Sequence, residues 1–219
     1  MPHLIVNCEV TRYNGDMNRV DFDKLMQKET EKLGGNKARL LIHSCCAPCS
    51  SAFLERLKDY FDITVLYYNP NIEDGEYEVR KAEQIRFLKE TGWAEILDCD
   101  HETEKFYQAV KGLENCPEGG ARCAVCYRLR IERTAEEAER LGFDYFATTL
   151  TVSPLKSAYV INAIGEECAK GKSAKWLYSD FKKRGGYLRS CELSREHWLY
   201  RQNYCGCEFS RRARQDKQN

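Results

Sequence analysis

Leu40-Leu41-Ile42-His43-Ser44-Cys45-Cys46-Ala47-Pro48-Cys49-Ser50-Ser51-Ala52-Phe53 is the stretch on which the fold turns. Its apolar run stops at Ser44 and gives way to apolar residues at helical spacing, through Ala52, Phe53, Leu57 and Tyr60, which predicts strand, tight turn and helix. Pro48 suits the first helical turn, where a missing amide hydrogen costs nothing. In a nucleotide-binding version of this unit the turn would be rich in glycine, so that backbone amides could wrap a phosphate at the helix start. Here the turn has no glycine and carries Cys45, Cys46 and Cys49 instead. The positive end of a helix favours thiolate over thiol, as does a bound cation, so these three are expected to be partly or wholly deprotonated and ready to ligate.

Outward from this unit the alternation repeats. Residues 63–68 read as a second strand, 76–90 as a charged amphipathic helix and 94–97 as a third strand. Helices are predicted over 102–113, 124–141 and 155–169, with strands at 145–148 and 175–178. Parallel neighbours need crossover connections, usually helical, so the order predicts an α/β fold with a mostly parallel sheet and helices on both faces. Ligands of such sheets bind beyond the carboxyl ends of the strands, which points to the loops after Ser44, Asn69, Cys99 and Thr149. Residues 1–37 read as a polar N-terminal extension in which Asp21 caps a short helix through Phe22, Leu25 and Met26. Residues 38–219 read as one domain ending in a basic helical tail.

Twelve cysteines in 219 residues, about 5%, fall below the roughly 8–10% of a small disulfide scaffold. No run approaches the ~20 apolar residues of a membrane-spanning helix, and no secretory signal opens the chain. A cytoplasmic protein with reduced thiols is expected, and there clustered cysteines bind metal or do redox chemistry more often than they form structural disulfides. The formal charge is zero, but residues 181–219 hold ten Lys or Arg against four Asp or Glu. Such a tail suits either a polyanionic partner or an ordinary solvated helix.

A second sulfur group, Arg122-Cys123-Ala124-Val125-Cys126-Tyr127-Arg128-Leu129-Arg130, enters a helix. Cys-x-x-Cys there brings two sulfurs to one side, within reach of one metal or cluster. Adjacent side chains are expected to diverge, so Cys45 and Cys46 would reach different metals or different corners of a cluster. Spacing alone leaves an iron–sulfur cluster, a zinc site and inert packed thiols open. Tyr204-Cys205-Gly206-Cys207 forms a third group, in which glycine lets the backbone bend enough for a dithiol–disulfide pair. The stretch 148–157 offers hydroxyls, free amides and Lys156 to an anion, or is simply a capped helix start.

At Cys45-Cys46-Ala47-Pro48-Cys49, at the 122–130 segment, at Ser153-Pro154-Leu155-Lys156 and at Tyr204-Cys205-Gly206-Cys207, the sequence resembles the epoxyqueuosine reductase family of the QueH type, from about Arg39 to Ser210. The resemblance implies a Rossmann-like domain of the nucleotide alpha-hydrolase type without its nucleotide signature. It implies reduction of epoxyqueuosine to queuosine at the wobble position of tRNA, and a [4Fe-4S] cluster with an additional iron, or zinc, close by. Cys45, Cys46, Cys123 and Cys126 would bind the cluster, Cys49 would help hold the adjacent ion with shared thiolates, and Cys205 and Cys207 would form a redox-active disulfide. Opening an epoxide to an alkene takes two electrons, which an external donor must replace. Lys182, Lys183, Arg184, Arg211, Arg212 and Arg214 are expected to hold tRNA phosphates, Tyr127 to stack on a flipped base, and Ser153 and Lys156 to contact substrate. One alternative is a zinc-stapled RNA-binding module without catalysis. Another, an ATP-dependent tRNA thiolase, would need a Ser-Gly-Gly-x-Asp-Ser loop where Ser44-Cys45-Cys46-Ala47 stands.

Overall fold

The structure, a computed structural model, describes residues 20–215 and, ahead of them, the backbone of two short antiparallel strands, β1 (Ile5–Val6) and β2 (Glu9–Val10). Much of the expected extension over 1–37 lies outside the described residues. Its helix, α1 (Phe22–Lys32), starts where the sequence predicts, with the Asp21 carboxylate accepting from the Lys24 amide at 3.2 Å. Met26 of this helix is buried in the main core, and Asp23 pairs with Arg56 at 3.2 Å.

Strands and helices then alternate: β3 (Ala38–His43), α2 (Ala47–Leu57), β4 (Phe61–Leu66), α3 (Asp74–Thr91), β5 (Glu95–Leu97), α4 (Thr103–Ala109), α5 (Ala121–Leu141), β6 (Tyr145–Thr148), α6 (Ala158–Ala169), β7 (Lys175–Trp176), α7 (Gly186–Glu196) and α8 (Glu208–Gln215). The sheet runs β5-β4-β3-β6-β7 and every pair in it is parallel. Successive strand residues point to opposite faces. Leu40 and Ile42 accordingly pack with Phe53 and Leu57 of α2 and Phe87 of α3, while Leu41 and Phe146 pack with Ile131 of α5 and Ile161 of α6. This is the Rossmann-like α/β layering the alternation predicts.

The chain steps from β3 outward to β4 and β5, then crosses back to begin again at β6. The reversal puts a crevice beyond the carboxyl ends of β3 and β6, where loops diverge and such folds bind ligands. His43 and Thr148 are register partners at that edge. The loop after β3 carries Cys45 and Cys46, and the loop after β6 carries Ser153 and Lys156.

The loop after β6 is longer than predicted. Thr149–Val152 forms a 3-10 turn, and α6 begins at Ala158 rather than near 155. A proline explains the delay: Pro154 disfavours helix at the preceding Ser153, whose φ and ψ are −70° and 128°, and Ser157 then caps the helix through the Val160 amide.

The far edge of the sheet is fixed by Asn162 of α6. Its amide donates to the carbonyls of Ala158 and Ser179, and its oxygen accepts from Trp176 Nε1 at 3.0 Å and from the Ser179 amide at 3.1 Å. Trp176 lies so close to the helix that a Cβ built on Gly165 would meet its ring at 2.2 Å. Gly165→Ala is therefore expected to destabilise the protein by about 3 kcal/mol, because neither the ring nor the helix backbone can give way cheaply. Urea unfolding of the two proteins measures this; an unchanged midpoint would contradict the packing.

Candidate metal centre

The cysteine turn after β3 is held from three sides. The Ser44 amide donates to the Leu66 carbonyl at 3.1 Å, Asn69 Nδ2 donates to the Ser44 carbonyl at 2.8 Å, and the hydroxyls of Ser44 and Ser50 both donate to Gln84 Oε1. Cys46 is the extended N-cap of α2, with Pro48 in the first turn. The chain bends at Cys45, and this breaks the strand's alternation. As a result the Sγ atoms of Cys45, Cys46 and Cys49 all lie within 4.8 Å of one another, with Cys45 and Cys46 at 3.9 Å. The expected divergence of the adjacent pair is thus corrected. Metal–sulfur bonds of about 2.3 Å in a tetrahedron put sulfurs roughly 3.8 Å apart, so this spacing suits one thiophilic ion.

Electrostatics make the three sulfurs unequal. Hydrogen bonds from Cys46 and Cys49 hold Cys45 well below the ordinary thiol range. The same bonding, with burial, raises Cys46, and Cys49 is pushed up to about 12. Like charges this close disfavour one another, so three thiolates coexist here only around a cation. His43 behaves as a core residue. Burial, then the charge of Arg130, lowers its pKa to about 3, and its ring nitrogens bond to Thr148 Oγ1, the Tyr68 carbonyl and Asn69 Oδ1.

The second sulfur pair stands at the start of α5. Cys123 Sγ accepts from the Gly119 amide at 3.2 Å. Cys126 is pushed up to about 12 by burial, with Arg130 pulling the other way. Arg122 anchors this helix start, donating to the carbonyls of Glu114 and Cys116. Cys123, Cys126, Tyr127 and Arg130 line a small cavity of about 20 Å³, and its remaining wall includes Cys205 and Cys207. Cys207 is buried and its Sγ accepts from the Ser210 amide at 3.4 Å, an N-cap-like contact at α8. Burial pushes its thiol up to about 12.

Cys205 also lines a second, larger cavity of about 330 Å³, together with Cys45, Cys46, Cys49, Ser153 and Lys156. The three sulfur groups, far apart in sequence, thus line two cavities that share Cys205, and among the described residues only Cys45, Cys46 and Cys49 form a group of three ligand atoms within 4.8 Å. Burial works against the charge of Lys156, but Cys205, Tyr127, Cys45 and Cys49 outweigh it and hold the ammonium charged above its ordinary range. Tyr127 is only 4% exposed and packs in the core, where it lines the smaller cavity.

Some residues at the site gave no signal in the sequence. Arg80 of α3 is buried, pairs with Glu76 at 2.6 Å and donates to the carbonyls of Cys205 and Tyr204 at 3.1 and 3.3 Å. It clamps the third sulfur group onto the sheet. Nothing in the charged pattern of α3 singles it out. Arg130 could have been found, because it lies one helical turn beyond Cys126 on the same face. The basic tail is largely neutralised: Lys182 pairs with Asp180, Lys183 with Asp21, Arg211 with Glu73 and Arg212 with Glu208. Arg214 and Arg201 instead line the larger cavity.

Gly206, between the two cysteines, has φ +108°, and a Cβ there would meet Ile72 Cγ1 at 3.0 Å and Arg80 Nη1 at 3.1 Å. Gly206→Ala is expected to cost about 1–3 kcal/mol through the disfavoured backbone and the crowding. Thiol labelling kinetics check the local consequence: Cys205 and Cys207 should react faster in the variant, and equal rates would contradict it.

A parallel sheet with a sulfur-lined switch point defines a Rossmann-like α/β protein with a candidate metal site in the turn after β3. The family model described as epoxyqueuosine reductase QueH matches residues 40–213, and the chain belongs to that family. Membership makes it an oxidoreductase. It is similar to epoxyqueuosine reductase QueH of Streptococcus pyogenes serotype M1, 42% identical over 200 residues that cover 88% of this chain and 78% of the relative. The corresponding protein of Acinetobacter baylyi is 40% identical, covering 83% of this chain and 84% of its own length. That of Thermotoga maritima is 38% identical, covering 81% and 93%. No helix among the described residues is long and apolar enough to cross a membrane.

Proposed function

We propose that the chain reduces epoxyqueuosine to queuosine in tRNA, in the cytoplasm, with electrons from an external donor. The names of the relatives suggest the substrate. The observation that carries the chemistry is the placement of Cys205, which lines both the cavity of Cys45, Cys46 and Cys49 and that of Cys123 and Cys126.

The residues fit a thiolate-bound [4Fe-4S] cluster with an adjacent iron or zinc ion. All the donors are soft sulfur. Arg130 is fully buried among them with both Nη atoms unpartnered, and a buried cation of this kind fits an anionic cluster. Cys45, Cys46, Cys123 and Cys126 would hold the cluster, and Cys49 with shared thiolates the ion. When bound, this group supplies electrons one at a time and Lewis-acid stabilisation of negative charge developing on oxygen.

The chain's own residues do the rest. Lys156 Nζ, kept charged in the larger cavity, orients the epoxide oxygen and gives up a proton to it, so that the oxygen leaves as water or hydroxide. Ser153 lines the same wall. Exposed Leu155 and Tyr187, with Tyr204, offer apolar and flat surfaces to a base at the cavity mouth, and Arg201 and Arg214 offer charge to phosphates. Cys205 and Cys207 close into a disulfide, releasing two electrons and two protons, which balances the conversion of one epoxide to one alkene and one water.

Mass spectrometry of nucleosides from epoxyqueuosine-containing tRNA, incubated with anaerobic protein and a chemical reductant, tests this reading. Epoxyqueuosine should fall as queuosine rises. Iron-loaded protein that leaves the ratio untouched would favour a binding module without catalysis.

A further inference from the structure

Arg130 of α5 is a buried charge beside the sulfur groups. Its side chain is fully buried, its Nε donates to the Cys126 carbonyl at 3.0 Å, and neither Nη atom has a hydrogen-bond partner. Guanidinium does not give up its proton under protein conditions, and burying it uncompensated is costly. The Tyr127 ring, 5.7 Å from Cζ, offers weak compensation at most. His43 cannot supply a negative charge, and its nitrogens are committed to Thr148, Tyr68 and Asn69. The acidic groups that face Arg130 are Cys126, Cys205, Cys45 and Tyr127. Three of these are sulfurs, one from each of the three cysteine groups.

We propose that Arg130 is the fixed countercharge of the sulfur centre and sets its reduction potential upward. This rests on the reading above that the centre holds an iron–sulfur cluster. One-electron reduction adds one negative charge to the cluster, and the electron comes from the external donor. A permanent positive charge in the wall of the same cavity stabilises the reduced form over the oxidised one, since net charge and surrounding dipoles are what the protein uses to tune such centres. Arg130 neither gains nor loses a proton in the step. It touches no substrate and acts through the cluster, which makes it a positioning residue.

Arg130→Met and Arg130→Lys proteins, prepared without air beside the unsubstituted protein, test this. Iron and acid-labile sulfide are measured first, and the midpoint potential follows from an EPR-monitored redox titration. The expected result is a lower midpoint potential in Arg130→Met, with Arg130→Lys returning most of the way. An Arg130→Met protein that fails to retain the cluster, beside an Arg130→Lys protein that keeps it, also supports a requirement for charge. Equal potentials in Arg130→Met and unsubstituted protein overturn the proposal, as does equal loss of the cluster from both variants, which would mean that shape rather than charge is needed. Unsubstituted protein without iron or sulfide would overturn the parent reading and this one with it, so the two failures are told apart by the first measurement.

Discussion

Cys126→Ala protein prepared without air is expected to lose its iron–sulfur absorption and its reductase turnover together, the latter by at least ~100-fold. Cys126 is 7% exposed and packs against Phe106, Val110 and Cys207. No other donor on α5 can replace it, since Cys123 is already directed to the same cavity. Alanine leaves the second sulfur group with one ligand, too few to close a cluster with the turn after β3. Cys168→Ala removes a similarly buried thiol of α6 that lines neither sulfur cavity and should keep both properties. Visible spectra and nucleoside mass spectrometry on the same samples check this pair. A colourless Cys126→Ala protein with full turnover would contradict the assignment.

Lys156→Met is expected to slow reduction by about 10²–10⁴-fold, the range for loss of a positioned proton donor, while leaving iron content near that of the unsubstituted protein. The lysine lines the larger cavity with Cys45, Cys49 and Cys205, and those sulfurs are among the groups that hold its charge. Methionine fills the same volume without a proton to give. Lys156→Arg should recover only part of the rate, because the larger planar guanidinium keeps the charge but cannot place a donor where the compact ammonium stood. Single-turnover reduction, normalised to iron, measures the effect; a Lys156→Met rate equal to that of the unsubstituted protein would remove Lys156 from the chemistry.

Much of the fold was legible because it is written in local periodicity. The run at 40–43, the cysteine turn and the helix through Phe53 and Leu57 each obey a short-range rule, and strand–helix alternation forces parallel pairing. The order of strands is not local, yet it decides which loops meet. The first two sulfur groups were readable as ligand-like from their position at helix starts. Their meeting through Cys205 was not, because it depends on Arg80 of α3 and Glu73 at that helix's N-cap fastening the 204–207 turn from more than a hundred residues away.

One expectation failed for a physical reason that sequence hides. Divergence of Cys45 and Cys46 assumes that the strand's alternation continues, and the bend at Cys45 ends it. In the basic tail, Asp21 and Glu73 reach Lys183 and Arg211 across the fold, through partly exposed pairs that a polyanion can exchange. Ion pairs between distant segments leave no mark in composition. The buried guanidinium of Arg130 is the reverse case: the one-turn spacing from Cys126 was visible, but the absence of a partner for its Nη atoms appears only in three dimensions.

The account depends on sulfurs from separate loops enclosing iron at the carboxyl end of the sheet. Iron, zinc and acid-labile sulfide per chain in anaerobically purified protein test that most directly. About four to five metal ions, mostly iron, with about four sulfides, are predicted for one cluster and a neighbouring ion. About one zinc with neither iron nor sulfide would contradict it.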